Sequence, residues 1–191
     1  MSIGHRLWSF APRRHGFIFV LMAPLRWYNH CRIQPPGGGK DLSCPAGVIM
    51  FDFHTHTFLS DGVLSPIELI RRALAAGYRA IGVTDHVGLG NLEYVVKTLV
   101  TDCAEATNRW DILAIPGVEI THVPKEDIDL VAKTAKELGA RLVTVHGETI
   151  VEPVDPGTNE LAVRSKAVDV LAHPGLIGYD EARLAAENGV F

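Results

Sequence analysis

The stretch IMFDFHTHTFLSDGVLSPIELIRRALAAGYRAIGVTDH, residues 49–86, contains one full strand–helix–strand unit. Ile49 to His54 is apolar enough and short enough for a strand. Ser65-Pro66-Ile67-Glu68 follows with an N-cap, a proline at the first helical position and a glutamate placed to complete a capping box. Ile67, Leu69, Ile70, Leu74 and Ala75 then give the helix a buried face, and Gly77 stops it. Arg79 to Thr84 forms the second strand, which ends in Asp85-His86.

The same grammar continues outward. A helix is expected from Asn91 to about Thr107, then a strand from Ile112 to Ile120, bent at Pro116-Gly117. Pro124 to Leu138 reads as a helix stopped by Gly139, and Leu142 to His146 as a buried strand. A less regular helix over Asn159–Ala167 leads to a strand over Val168–His173. Asp180–Glu187 is a further helix, closed by Asn188-Gly189, and Val190-Phe191 begins another strand. Alternating strands and helices specify an α/β fold with a parallel sheet or barrel, whose site lies at the carboxyl ends of the strands.

Residues 1–48 follow a different pattern. Six of the 18 basic residues and one of the 22 acidic ones fall in 1–49, which leaves 12 against 21 in 50–191, a net of −9. An acidic body does not suit general nucleic-acid binding, where lysine and arginine neutralise phosphates, and it suits bound cations better. The apolar run Phe17–Ala23 after Arg13-Arg14 has the beginnings of a signal peptide, but it is too short to span a bilayer and no small-residue cleavage site follows. The favoured reading is an unstructured extension outside the domain, with Met50 as a plausible true start. Cys31, Cys44 and Cys103 show no paired spacing, which points to free thiols in a reducing, cytoplasmic setting.

Six of the nine histidines lie in the acidic body. His54 and His56, two apart at a strand end, point to one face, as a first-row metal ion requires of two imidazoles. Asp61, in Ser60-Asp61-Gly62, taken alone is an ordinary turn residue. Glu119 sits among apolar neighbours in Gly117-Val118-Glu119-Ile120, and a carboxylate there must be paired or metal-bound. His146 and His173 end later strands, each followed by a tight turn that Gly147 or Gly175 permits. Ligand-type residues recur at five strand ends, counting Asp85-His86.

Taken in order, His54-Thr55-His56-Thr57 with Ser60-Asp61-Gly62, Thr84-Asp85-His86, Gly117–Ile120, Val145–Glu148 and Ala172–Gly175 resemble the polymerase-and-histidinol-phosphatase (PHP) domain family. The resemblance runs from about Met50 to the end and is nearest to compact, stand-alone histidinol-phosphatase-like members. It implies a distorted (β/α)7 barrel with two or three divalent ions, Zn, Mn or Fe, at its mouth. It makes His54 and His56 ligands of a first metal and Glu119 a bridge to a second, which His146 and His173 complete. Asp61 and His86 fall to a third position. His122 and Glu148 are nearby polar candidates, for which substrate contact and structural hydrogen bonding stay open. The family's late Asp-x-His does not occur after His173, so the barrel is expected to be C-terminally incomplete by roughly two strand–helix units.

The activity this implies is hydrolysis of a small phosphate monoester by metal-activated hydroxide, with no side chain acting as catalyst alone. No membrane and no nucleic acid are expected as partners. A phosphodiesterase, exonuclease or amidohydrolase-type enzyme and a truncated, non-catalytic metal-binding protein are the rival readings. A domain whose histidines are only core residues does not account for so ordered a motif set.

Overall fold

The computed structural model describes residues 49–191, so the readings made for 1–48 lie outside the described residues. The elements follow in the order β1 (Met50–Thr55), α1 (Pro66–Ala75), β2 (Tyr78–Val83), β3 (His86–Val87), α2 (Leu92–Arg109) and β4 (Leu113–Ile120). A 3-10 turn (Lys125–Asp127) then precedes α3 (Ile128–Leu138), β5 (Leu142–His146), α4 (Thr158–Arg164), β6 (Val170–Ala172) and α5 (Tyr179–Asn188).

All pairings are parallel, in the order β1-β2-β4-β5-β6, with β3 beside β4. The strands form a curled half-barrel sheet whose described edges are β1 and β6. Phe191 extends it: its N–H donates to Asp169 O at 3.0 Å and its carbonyl accepts from Leu171 N at 2.7 Å, the bonding of a further parallel strand.

Helices cover the sheet through a continuous apolar core. Ile70 of α1, Val95 and Leu99 of α2, and Val131 and Ala135 of α3 are buried against Ile81, Val83, Val118, Ile120 and Val143. Cys103 belongs to that core, and burial pushes its thiol up to about 12, so it behaves as a small apolar residue.

Several local readings change in detail. At α1, Ser65 Oγ accepts from Glu68 N at 3.3 Å, but the Glu68 carboxylate turns forward to Arg72 and leaves the capping box half made. The first turn expected at Pro124 is 3-10, with α geometry starting at Ile128. Helix α4 ends at Arg164 because Ser165 is extended and its hydroxyl donates to Asp129 at 2.7 Å. Strand β6 stops at Ala172 because His173 enters the left-handed region, with φ of 34°.

The two-residue strand β3 has no counterpart in the sequence reading. It continues the register of β2 against β4: Ala80 faces Leu113, Val83 faces Pro116, His86 faces Glu119. At Pro116-Gly117, where a bend is expected, pairing with β2 ends and pairing with β5 begins, and the β2 alignment resumes unshifted at β3. Gly117 instead allows close approach, since a Cβ there would stand 2.8 Å from Thr84 Cγ2 and 2.9 Å from Leu142 O.

The same packing limit yields a test. Gly117→Ala should lower the unfolding free energy by about 1–3 kcal/mol through overpacking. A urea midpoint equal to that of the unaltered chain would show that the close approach imposes no constraint.

Candidate metal centre

Five strand ends place the centre. His54 lies within β1 and His56 just past it, with Thr57 to Gly62 looping away from the strand. His86 opens β3, Glu119 is the penultimate residue of β4, His146 ends β5, and His173 follows β6. Because the strands are parallel, their carboxyl ends gather at one rim.

Glu119 is completely buried there. Its Oε2 lies 3.0 Å from His54 Nε2, 3.3 Å from His56 Nε2 and 3.2 Å from His86 Nδ1, and its Oε1 is 3.2 Å from His173 Nε2. Burial alone would raise the Glu119 pKa, but the imidazoles of His173 and His54 beside it outweigh that and hold it well below the usual carboxylate range. The same contact raises His173, with its desolvation opposing. His56 and His146 move the other way, lowered first by burial, which favours neutral rings with a free lone pair. Asp52, on the same strand face as His54, is pushed up to about 6 by burial and accepts from His54 N at 3.1 Å.

Two groups of potential ligands share this carboxylate: His54, Glu119 and His173 form one, and His56, His86 and Glu119 the other. By distance, then, His54 groups with His173 and His56 with His86, a division different from the one the resemblance implies. Asp61 stands on the second side, 3.5 Å from His56 Nδ1 and 3.7 Å from His86 Nε2, with its side chain 67% exposed. His146 packs edge-on to His173, ring centroids 4.3 Å apart, but its Nε2 faces Glu152 Oε2 at 2.8 Å. His122, in a left-handed backbone conformation, lies beside it at 5.5 Å between ring centroids. Glu148 turns to backbone: its Oε1 accepts from Gly157 N at 3.0 Å and Asn159 N at 2.9 Å, tying together the ends of the loop after β5.

The donor set fits divalent ions. Atoms bound to one ion at about 2.1 Å stand about 3.0–3.4 Å apart at octahedral to tetrahedral angles. The contacts of His54, His56 and His173 with Glu119 fall in that range. Buried Glu119 Oε1 and His56 Nδ1 have no well-formed hydrogen bond, although protein interiors seldom leave such atoms unsatisfied. Imidazole with carboxylate is the chemistry of first-row metals.

Supporting contacts fix the ligands. Thr121 Oγ1 donates to Glu119 O at 3.0 Å, so it is free to accept from His86 Nδ1 at 2.6 Å, which leaves His86 Nε2 with its lone pair. Asp85, buried at the end of β2, accepts from Thr57 N, Thr57 Oγ1 and Ser60 Oγ at 2.7, 2.8 and 2.6 Å. It therefore anchors the loop carrying Asp61. The turns at Gly147 and Gly175 do not use a glycine's left-handed freedom, because neither has positive φ. That conformation falls on His173 itself, and Gly147 serves close approach, a Cβ there meeting Ala172 O at 2.7 Å. The sequence reading missed the supporting contacts of Thr57 and Thr121 and the approach of Glu152 to His146. Hydroxyls beside strand-end histidines were the available signal for the first two.

The PHP domain family matches residues 52–182. The chain belongs to this family. Its members among the named relatives are hydrolases, and the His/Glu groups described above fit the divalent metals that PHP domains bind. This PHP domain is 49% identical over 142 residues to an uncharacterised protein of Methanocaldococcus jannaschii, covering 74% of this chain and 65% of that protein. It is 38% identical over 68 residues to a 5'-3' exoribonuclease of Haemophilus influenzae, covering 32% of this chain and 24% of the relative. With the DNA polymerase/3'-5' exonuclease PolX of Bacillus subtilis it shares 28% identity over 138 residues, 67% of this chain and 24% of that protein. The chain thus spans under two thirds of the length of each of these relatives. Among the described residues, no helix is long and apolar enough to cross a membrane.

Asp85→Ala should strand three donors of the Thr57–Gly62 loop and lower the unfolding free energy by about 1–3 kcal/mol. Limited proteolysis should then cut within that loop. A variant as stable and as resistant as the parent chain would remove Asp85 from its anchoring role.

Proposed function

We propose that this PHP domain hydrolyses phosphate esters with the help of two divalent ions, Zn, Mn or Fe, held on either side of Glu119. The observation that carries the reading is one buried carboxylate contacted by four imidazoles from three chain segments, β1 with its continuation, β3 and the turn after β6. Such ions supply an activated water and neutralise charge on the phosphoryl oxygens.

The chain's own residues do the rest by holding position. Glu119 stays ionised and buried, so it binds cations without being free to attack. Thr121 fixes the tautomer of His86, and Asp85 fixes the path of the loop beyond His56. His54, His56, His86 and His173 present nitrogen donors on the floor of the mouth. Asp61, exposed at its rim, and His146 with His173 complete the ligand set we assign, with a third ion at Asp61 and His86 as an extension of it. His122 is exposed enough to meet a substrate, whereas one oxygen of Glu148 is already committed to the loop backbone.

For the substrate, we favour a small phosphate monoester. The net charge of −9 over 50–191 disfavours a long polyanion. The names of the Haemophilus and Bacillus relatives support a second reading, exonucleolytic cleavage of nucleic acid. Among the described residues a small phosphorylated molecule needs only the mouth, while a nucleic acid needs a surface track as well.

The full chain, loaded in turn with Mn, Zn or Fe and checked by elemental analysis, should release phosphate from p-nitrophenyl phosphate faster than it cleaves bis-p-nitrophenyl phosphate or a 5′-phosphorylated RNA oligonucleotide. Glu119→Gln should reduce that rate by roughly a hundredfold or more, beyond the effect typical of outer-shell changes. Faster release of mononucleotides from RNA would select the second reading. Metal-loaded protein inert toward every substrate would refute both.

A further inference from the structure

Strand β5 runs Leu142-Val143-Thr144-Val145-His146, with a hydroxyl residue at its middle. Thr144 is 1% exposed, and its Oγ1 has no hydrogen-bond partner among the described residues. Valine has nearly the same shape and would fill the position without a polar atom. A buried hydroxyl left unpaired costs free energy, so a threonine at this point calls for a compensating contact.

The register of the sheet says where that contact lies. Thr144 pairs with Glu119 on β4 and with Val170 on β6. Paired residues of parallel strands share a sheet face, as do residues two apart on one strand, which adds Leu142 and His146. Leu142 and Val170 are apolar. His146 has both nitrogens engaged, Nδ1 3.1 Å from Gly147 O and Nε2 2.8 Å from Glu152 Oε2. Of these four neighbours, Glu119 alone offers an open acceptor. Its Oε2 meets three imidazoles, whereas its Oε1 meets His173 Nε2 at 3.2 Å without a well-formed hydrogen bond. An unpaired donor and an under-used acceptor, both buried, therefore stand on adjacent strands.

Resting on the metal-centre reading above, we propose that Thr144 is a positioning residue for the shared carboxylate. Its hydroxyl donates toward Glu119 Oε1 across one water molecule and holds that oxygen for the ion grouped with His54 and His173. Oε2 is left to the histidines of β1 and β3. The β-branched side chain is stiff about χ1, so threonine aims the hydroxyl more firmly than serine would. Strand β5 thus gives up stability at its middle to fix one oxygen of the centre.

Cobalt(II) tests this without turnover, because its visible absorption reports the ligand field. The full chain, Thr144→Val and Thr144→Ser would each be titrated with cobalt(II) by absorption and calorimetry, and unfolded in urea without metal. Thr144→Val should have a urea midpoint equal to or above that of the parent chain, since it removes an unpaired buried hydroxyl. It should nevertheless bind cobalt about 10–100-fold more weakly at one site, the size of effect that supporting partners of metal ligands have. Its spectrum should shift, and Thr144→Ser should recover part of the affinity. Equal affinity and an unchanged spectrum in Thr144→Val would overturn the assignment, as would a serine variant no better than the valine one. Weaker binding matched by a lower urea midpoint in Thr144→Val would show a packing role and overturn it too. Parent chain that binds no cobalt would overturn the metal-centre reading itself.

Discussion

The structure depends on one arrangement, a fully buried carboxylate with imidazoles around both of its oxygens. A lone ionised glutamate inside a protein is strongly unfavourable, and Glu119 is ionised only because ring nitrogens from β1, β3 and the end of β6 surround it. That requirement sets the register of the sheet. His86 must lie opposite Glu119, and it does so because β3 keeps the alignment β2 established against β4. Between those strands Asp85 keeps its carbonyl on Glu119 N, while its side chain holds the loop after His56.

Much of this could be read from residue order. The apolar strands and helix faces specified the α/β layering, and Glu119 stood out because a charge among Val118, Ile120 and Gly117 needs partners. What stayed hidden depends on contacts distant in sequence. A two-residue strand such as β3 has no period to detect, and only its pairing with β4 defines it. Glu152 is one acid among several in a polar loop, and nothing nearby announces that its carboxylate reaches His146. Glu148 sits in a strand-end motif that suggests chemistry, yet its side chain secures a loop. The glycines after His146 and His173 suggested sharp turns, but the unusual backbone falls on a histidine instead. A non-glycine residue in that region costs of order 1–3 kcal/mol, and such strain tends to collect where side-chain direction matters more than comfort.

Family membership and substrate therefore rest on different grounds. The match over 52–182 and the ligand geometry both concern the rim of the half-barrel, which is the shared part. Specificity comes from loops, and here those loops combine an acidic surface with exposed apolar residues such as Phe58, Leu89 and Ile150. The relatives named as nucleases share this chain's segment over about a quarter of their own lengths.

Strand β1 lies at an edge of the described sheet, with β2 as its neighbouring strand, and its pairing is irregular after Met50 and again after Asp52. Two of the principal nitrogen donors, His54 and His56, belong to this strand or its immediate continuation, whereas Glu119 belongs to a strand paired on both sides. A cation shared by His54 and Glu119 would reach across β2 and act as a cross-brace, fastening the weakly held margin to the middle of the sheet. Mechanically, a loaded centre would be a clasp as well as a place for chemistry, with tension on β1 borne partly by coordination bonds.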